Sequence, residues 1–492
     1  MKRLVFLVLA FFFFWGMGLT SPIWAAYSAH QDDTDINNFL KVYPSAKSTK
    51  LDDCALCHTG GTIGKNTYGS CDYCHQTYGL QAPHGDIRKT LNPYGLDYLT
   101  AGGHPANPAS DAARDQADQA AVKAIDGRDS DGDGYLNGVE IQALTYPGNK
   151  ADYPGLLAAP AIALNLERLF QLPDHSEFLL LNASKDQDWY ARYRGVKIID
   201  LLRYAGAGKG VTGITVFSPD GFSKYFPFDV PDPQTDPSHI QYDVMGPYPY
   251  GTYYGGLDFV SYAFYPVWLL PDNRIPDKLY MLLAYLRDGD PLTPGKIDPT
   301  TLKLNGEGPY RLIPPQKIAG GPDRPSTAQA VGDGWDYSSS KDHNAGSSVR
   351  TVAAIRVEPL PSGTTDFAWT EGGWNLVDQA KLVIYGAIDP RTYPIVGKVV
   401  DSSGQGIANV KVTFGLLSLG QVGEATTSST RFENGKFKIN LPAGEYALIP
   451  SKDGCTFTPG SLSISFSDPE YSQRHYWEYH PEQEITFTGS CK

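Results

Sequence analysis

The chain has 492 residues, 41% hydrophobic and only 19% charged, with 51 Gly, 37 Pro and a formal net charge of −13. At ~150 residues per domain this length points to about three domains, and the composition is that of a folded, turn-rich chain and excludes a long coiled coil. No basic cluster interleaves with aromatics, so the electrostatic footprint that nucleic-acid binding needs is missing.

The N-terminus reads Lys2-Arg3, an apolar run from Leu4 to Met17, and then SPIWAAYSA, the charged, apolar and small-residue order of a secretory signal. That run is short for the ~30 Å of hydrocarbon a retained anchor must cross. Residues 1–25 are therefore expected to be a removed leader, leaving no membrane span and placing the chain in the periplasm or at the cell surface.

The next segment, 26–154, is expected to be small, loop-rich and helical. Within it CALCHTGGTIGKNTYGSCDYCH, Cys54 to His75, holds Cys-x-x-Cys-His twice, the second copy 17 residues after the first. Two thiols at this spacing add across the two vinyl groups of a haem, and the adjacent imidazole turns back onto the iron. Cys54, Cys57 and His58 would hold one haem; Cys71, Cys74 and His75 would hold a second. A four-thiolate zinc or iron–sulfur site uses the same paired cysteines, but the repeated histidine and the export signal favour haem. For the sixth iron ligands, His84 and His104 are the first candidates and His30 the reserve, because the mature methionines are only Met245 and Met281. Bis-histidine iron has no open position and suits electron transfer, and haems this close in sequence are expected to exchange electrons.

DSDGDGYLNGVE, Asp129 to Glu140, follows the twelve-residue EF-hand pattern. Asp129, Asp131 and Asp133 take positions 1, 3 and 5, the Tyr135 carbonyl position 7, Asn137 position 9 and Glu140 position 12, with Gly134 at the turn. Calcium held here is expected to act as a structural clip.

Residues 155–390 mix expected helices and strands. Val196–Ala207 carries apolar residues at helical spacing and stops at Gly206, and Asp277–Gly289 is read as a second helix. Between them GITVFSPDGFSKYFPF alternates around Asp220-Gly221 and predicts a hairpin. The aromatic stretch Tyr242–Trp268 is read as core and interface rather than a groove. Glu307 and Arg311 fit either an anion-binding or catalytic pair or a tight turn held by Gly306, Gly308 and Pro309.

Residues 391–492 alternate at strand length between Ser-Gly, Asn-Gly and Ala-Gly turns and predict an antiparallel β-sandwich. Cys455 and Cys491 are expected to close it with a disulfide in an oxidising compartment.

NGEGPYRLIPPQ (Asn305–Gln316), behind two Cys-x-x-Cys-His units and DSDGDG, resembles the GEGP-motif dihaem c-type cytochromes. Within that resemblance, YRGVKIIDLLRYAGA, VFSPDGFSKYFPF, LLAYLRDGDPL and GEGPYRLIPP resemble, in order, the molybdopterin-binding fold of sulfite-oxidase-type enzymes. That family ligates molybdenum through a cysteine, and here no cysteine lies between Cys74 and Cys455, so the scaffold is expected without molybdopterin. GKVVDSSGQGIANVKVTF and GKFKINLPAGEYAL are similar to carboxypeptidase-regulatory-like, transthyretin-type β-modules. The expectation is a multidomain α+β protein: an exported dihaem electron carrier working with redox partner proteins such as other cytochromes. The competing readings are a molybdenum oxidoreductase feeding its own haems and a haem-bearing surface scaffold.

Overall fold

The computed structural model describes residues 34–47, 49–52, 54–59, 61–63, 66–68, 90–181, 189–208, 210–219, 222–228, 260–261, 274–275, 279–298, 304–315, 344–367, 381–416, 420–466 and 485–491. The 1–25 leader, His30, Cys71, Cys74, His75, His84, the Asp220-Gly221 turn and most of the 242–268 aromatic stretch lie outside the described residues. The chain is mostly β, and its α-helices gather near the N-terminus.

Four short helices, α1 (Thr34–Val42), α2 (Pro93–Thr100), α3 (Asp111–Ala124) and α4 (Asn137–Ala143), surround a small core. Ile36, Phe39, Leu51, Leu56, Tyr94, Tyr98, Val122, Ile125 and Ile141 fill it. Local chemistry starts the helices. Asn92 caps α2 by accepting from Gly95 N–H, with Pro93 next to it where no donor is missed, and Ser110 caps α3 by accepting from Ala113 N–H. Asn38, fully buried on α1, donates to Asp115 and Asp118 of α3, so the two helices are joined through satisfied polar groups.

Two five-stranded sheets make the middle of the molecule. In the first, Leu282–Arg287 is central, flanked by Trp189–Lys197 on one side and by Arg311–Ile313 and Asp290–Pro291 on the other, with Asp174–Leu181 beyond Trp189–Lys197. The second runs in the order Ala161–Asn165, Lys381–Gly386, Ala354–Glu358, Gly213–Phe217, Ser223–Pro227. Its pleat divides its residues between two faces. Ile162, Leu164, Ile214, Val216, Ile355, Val357, Leu382 and Ile384 enter the core shared with the first sheet, while Ala161, Ala163, Phe217, Ala354, Val383 and Tyr385 point the other way.

The expected helix at Val196–Ala207 is present as α5 (Ile198–Ala205), with Ile198, Leu201, Leu202 and Ala205 buried and Gly206 at φ 78° ending it. Gly213–Phe217 and Ser223–Pro227 form the expected antiparallel hairpin. The expected helix at 277–289 is not: Leu282–Arg287 is a strand. Leu282, Leu283, Ala284 and Tyr285 are consecutive and all buried, because a strand paired on both edges and covered on both faces needs an unbroken apolar run, which mimics one turn of a buried helix.

From Thr392 onward the chain is a two-sheet sandwich. One sheet holds Lys436–Pro442, Thr392–Val400, Ile485–Cys491 and Cys455–Thr458; the other holds Gly420–Thr426, Lys411–Leu416, Gly444–Ser451 and Leu462–Phe466. Pairing is antiparallel as expected except between Thr392–Val400 and Ile485–Cys491, which run parallel. Val399, Val412, Phe414, Phe437, Tyr446, Leu448 and Phe487 are buried inside, in one cluster with the outward residues of the second central sheet. Cys455 and Cys491 face each other across paired strands and are joined by a disulfide.

Candidate functional site

Cys54–Leu56 forms a single 3₁₀ turn, closed by Cys57 N–H and His58 N–H, which both donate to the Cys54 carbonyl (3.1 and 2.9 Å). Cys54, Cys57 and His58 thus fall within a single turn of backbone, after which His58 pairs as a β-bridge with Leu91. Neither cysteine is in a disulfide, and both are half-buried. Cys57 packs on the helical core.

Asn92 fixes this turn from outside. Its Nδ2 donates to the Ala55 and Leu56 carbonyls (3.2 and 3.0 Å) while its Oδ1 caps α2. α2 lies so close that a Cβ on Gly95 would stand 2.4 Å from the Cys57 carbonyl oxygen. His58 Nδ1 lies 2.8 Å from Thr90 Oγ1. An imidazole that ligates a metal through Nε2 is oriented by this kind of partner on Nδ1. The donor set and its bracing thus fit a haem at Cys54, Cys57 and His58.

His104 stands apart from this turn, at φ 49°. Its Nδ1 is 2.8 Å from Asp35 Oδ2, its backbone N–H donates to Asp118, and its side chain is exposed. The structure therefore places His104 on the α1/α3 side of the helical core, held by a carboxylate, and shows no contact between it and His58 among the described residues.

The acidic loop follows α3 and leads into α4. Its backbone N–H groups turn inward: Gly132, Asp133 and Gly134 donate to Asp129, Asp133 also to Asp131, and Tyr135 to Asp133. Gly134 sits at φ 104°, which its place in the turn requires. One carboxylate oxygen from each of Asp129, Asp131 and Asp133 comes within 4.8 Å of the others. Glu140, in the first turn of α4, is 0% exposed, and both its carboxylate oxygens lack a hydrogen-bond partner, as do Asp131 Oδ2 and Asp133 Oδ2.

Buried carboxylates without donors raise each other's pKa. Glu140 is pushed up to about 9, chiefly by burial and then by Asp131, Asp133, Asp152 and Asp129. Asp131 is pushed up to about 6, by burial and then mainly by Asp133. Asn137 closes the loop: its Oδ1 accepts from Ser130 N–H and its Nδ2 donates to the Ile125 carbonyl and Ser130 Oγ. Tyr135 stacks on Tyr153. The three gathered aspartates suit a hard divalent cation with oxygen ligands, whereas Glu140 is not among the groups whose ligand atoms come within 4.8 Å of one another.

The GEGP stretch forms a tight turn. Glu307 N–H and Gly308 N–H both donate to the Thr293 carbonyl, and Glu307 is paired with Arg287 (2.7 Å) and Arg311 (2.5 Å), the latter side chain buried. Its charge is thus neutralised inside the protein, as in a structural ion cluster.

A cleft of about 530 Å³ opens between the helical region and the second central sheet. Ala55, His58 and Asn92 line one wall; Thr215, Phe217, Arg356, Glu358 and residues 360–366 line the other. Its base is tied by Lys50 Nζ, buried, to Asp152 (2.6 Å) and Thr365 Oγ1 (2.5 Å). The cysteines and the acidic loop were readable from spacing; the cleft was not, because its walls come from segments some 300 residues apart.

No protein-family model matches the chain, and no curated protein matches it. Among solved structures it is similar to one titled "The Bacillus anthracis TIE protein", at 10% identity and a TM-score of 0.14, over 39% of this chain and 26% of that one. The chain thus spans about a quarter of that protein, and a TM-score this low carries no argument about fold or activity. Among the described residues no helix is long and apolar enough to cross a membrane.

Proposed function

We propose that the protein is an exported dihaem c-type cytochrome of the GEGP-motif kind, passing single electrons between redox partner proteins in the periplasm or at the cell surface. The observation that supports this reading is the Cys54–His58 turn, closed on the Cys54 carbonyl, with the His58 imidazole braced at Nδ1 by Thr90. Covalent haem supplies a one-electron iron centre there. Cys54 and Cys57 anchor it, His58 ligates it and Thr90 fixes the imidazole plane. The repeated motif at Cys71, Cys74 and His75 would hold the second haem, with His84, His104 and His30 as distal candidates; the Asp35 carboxylate on His104 Nδ1 is the bracing a ligand histidine needs.

The acidic loop is proposed to hold Ca²⁺ through Asp129, Asp131, Asp133, the Tyr135 carbonyl, Asn137 and Glu140. The partnerless buried carboxylate of Glu140 supports this. The central domain is proposed to be a sulfite-oxidase-like scaffold without molybdopterin, and the C-terminal sandwich a carboxypeptidase-regulatory-like module.

A redox-titrated visible spectrum of the purified protein, with intact mass, tests the haem reading. Two covalent haems per chain with reversible one-electron transitions are expected. A haem-free chain, or one molybdenum per chain, would overturn it.

A further inference from the structure

The cleft between the helical region and the second central sheet is not a haem site, because neither Cys54 nor Cys57 lines it and Cys57 packs on the helical core. Its volume of about 530 Å³ is that of a small-molecule site, and a seam between domains is where such sites form. Its charged lining side chains are one guanidinium, Arg356, and three carboxylates, Asp152, Glu358 and Asp366. Lys50, buried behind the base, offsets Asp152. One negative charge is left over.

Hydrogen bonds within the protein decide which of these groups remains for a ligand. Asp152 accepts from Lys50 Nζ (2.6 Å) and Tyr146 N–H (2.9 Å) on one oxygen and from Thr365 Oγ1 on the other. Asp366 accepts from Arg356 Nη1 on one oxygen and from Phe367 N–H (2.9 Å) on the other. Glu358 differs. Its Oε1 accepts from Arg356 Nε (2.6 Å) and Thr215 Oγ1 (2.7 Å), whereas its Oε2 accepts from no described residue. The two cations are engaged in turn, Lys50 over the Tyr146 ring (5.0 Å to its centre) and Arg356 over Phe217 (5.4 Å). An anion would therefore meet the excess negative charge and no uncompensated cation. A positively charged nitrogen would meet one open carboxylate oxygen and, on the helical-region wall, the Tyr153 ring. We propose that this cleft binds a small organic cation, a primary amine or diamine, whose ammonium donates to Glu358 Oε2. The site goes beyond the electron-transfer reading and does not depend on it.

The test is isothermal titration calorimetry of the full-length purified protein, with millimolar Ca²⁺ present to compete for the acidic loop. The probes are putrescine, butanediol and succinate, which share a four-carbon chain and differ in charge. Wild type is expected to bind putrescine and neither of the others. Glu358→Gln keeps the shape of the side chain and leaves Arg356 its bond to Asp366. Ser362 lines the cleft and is exposed, so Ser362→Lys adds a cation there without disturbing the core. Each variant is expected to weaken putrescine about tenfold or more, the second by like-charge repulsion alone. Ser429→Lys, exposed in the sandwich and not lining the cleft, is expected to change nothing. Should Glu358→Gln fail to fold, Ser362→Lys carries the comparison. No putrescine binding at millimolar concentration, equal binding of butanediol or succinate, or putrescine affinity that Ser362→Lys leaves intact would each overturn the proposal. Haem content, read separately by intact mass, bears on the haem reading alone.

Discussion

Glu140 makes the acidic loop a test of sign as well as size. Without a cation the folded protein holds the Glu140 proton up to about pH 9, whereas the unfolded chain releases it near the ordinary 4.5. The folded state then binds more protons than the unfolded state, so the ion-free protein loses stability as pH rises from about 4.5 to about 9. At ~1.36 kcal/mol per pH unit this is at most about 3 kcal/mol by pH 7, and less as the loop relaxes. On the proposed calcium reading, Ca²⁺ bound at the loop would reverse the balance, adding ~2.7 kcal/mol when free Ca²⁺ is a hundred times its dissociation constant. Glu140→Gln removes the charge that both effects need. In chelator at pH 8 the variant is expected to unfold at a higher temperature than wild type; in millimolar Ca²⁺ the order inverts. Circular dichroism melts of the full chain, with and without Ca²⁺ at pH 5 and pH 8, read this directly. An equal Ca²⁺-induced gain in wild type and variant, or no gain in wild type, would refute the reasoning.

Thr90→Val removes the oxygen beside His58 Nδ1; on the proposed haem reading, one haem transition and its visible spectrum are expected to change while haem content stays the same. Gly95→Ala places a methyl 2.4 Å from the Cys57 carbonyl oxygen, which should destabilise the helical region by about 1–3 kcal/mol in denaturant unfolding. Replacing both Cys455 and Cys491 by Ala opens a bridge spanning 36 residues; a loss of roughly 3–4 kcal/mol is expected in the unfolding of the sandwich, with the haem spectra unchanged. Glu307→Gln leaves Arg287 and Arg311 without their shared carboxylate, and a loss of about 3 kcal/mol or more in global unfolding checks that Glu307 is structural.

Where local letters determine local geometry, the sequence was legible. The acidic loop needs only twelve consecutive residues, and α5 is bounded by its own apolar spacing and by Gly206. The strand at Leu282–Arg287 was misread because its environment is set by Val196 on one neighbour and Leu312 on the other, and burial on both faces erases the alternation that marks a strand. The disulfide was legible as a pair because only two cysteines lie near the C-terminus, although their register required the sheet. His104 showed no sign of its carboxylate, since Asp35 lies 69 residues away. The cleft was least visible: Arg356 and Thr215 face it only because the pleat puts them on the side of their sheet opposite Ile355 and Val216.

The second central sheet has no spare face. Its inner side closes one core, and its outer side is shared between the cleft at Phe217 and Arg356 and the sandwich beyond Tyr385. Arg168 reaches the Phe466 carbonyl and Lys381 pairs with Glu445 across the same seam. The C-terminal module is thus less a bead on a string than a keystone. A protease nicking the chain between Gly386 and Thr392 would release no free fragment, and a truncation before Thr392 would leave an apolar sheet face open to water and the truncated protein prone to aggregate.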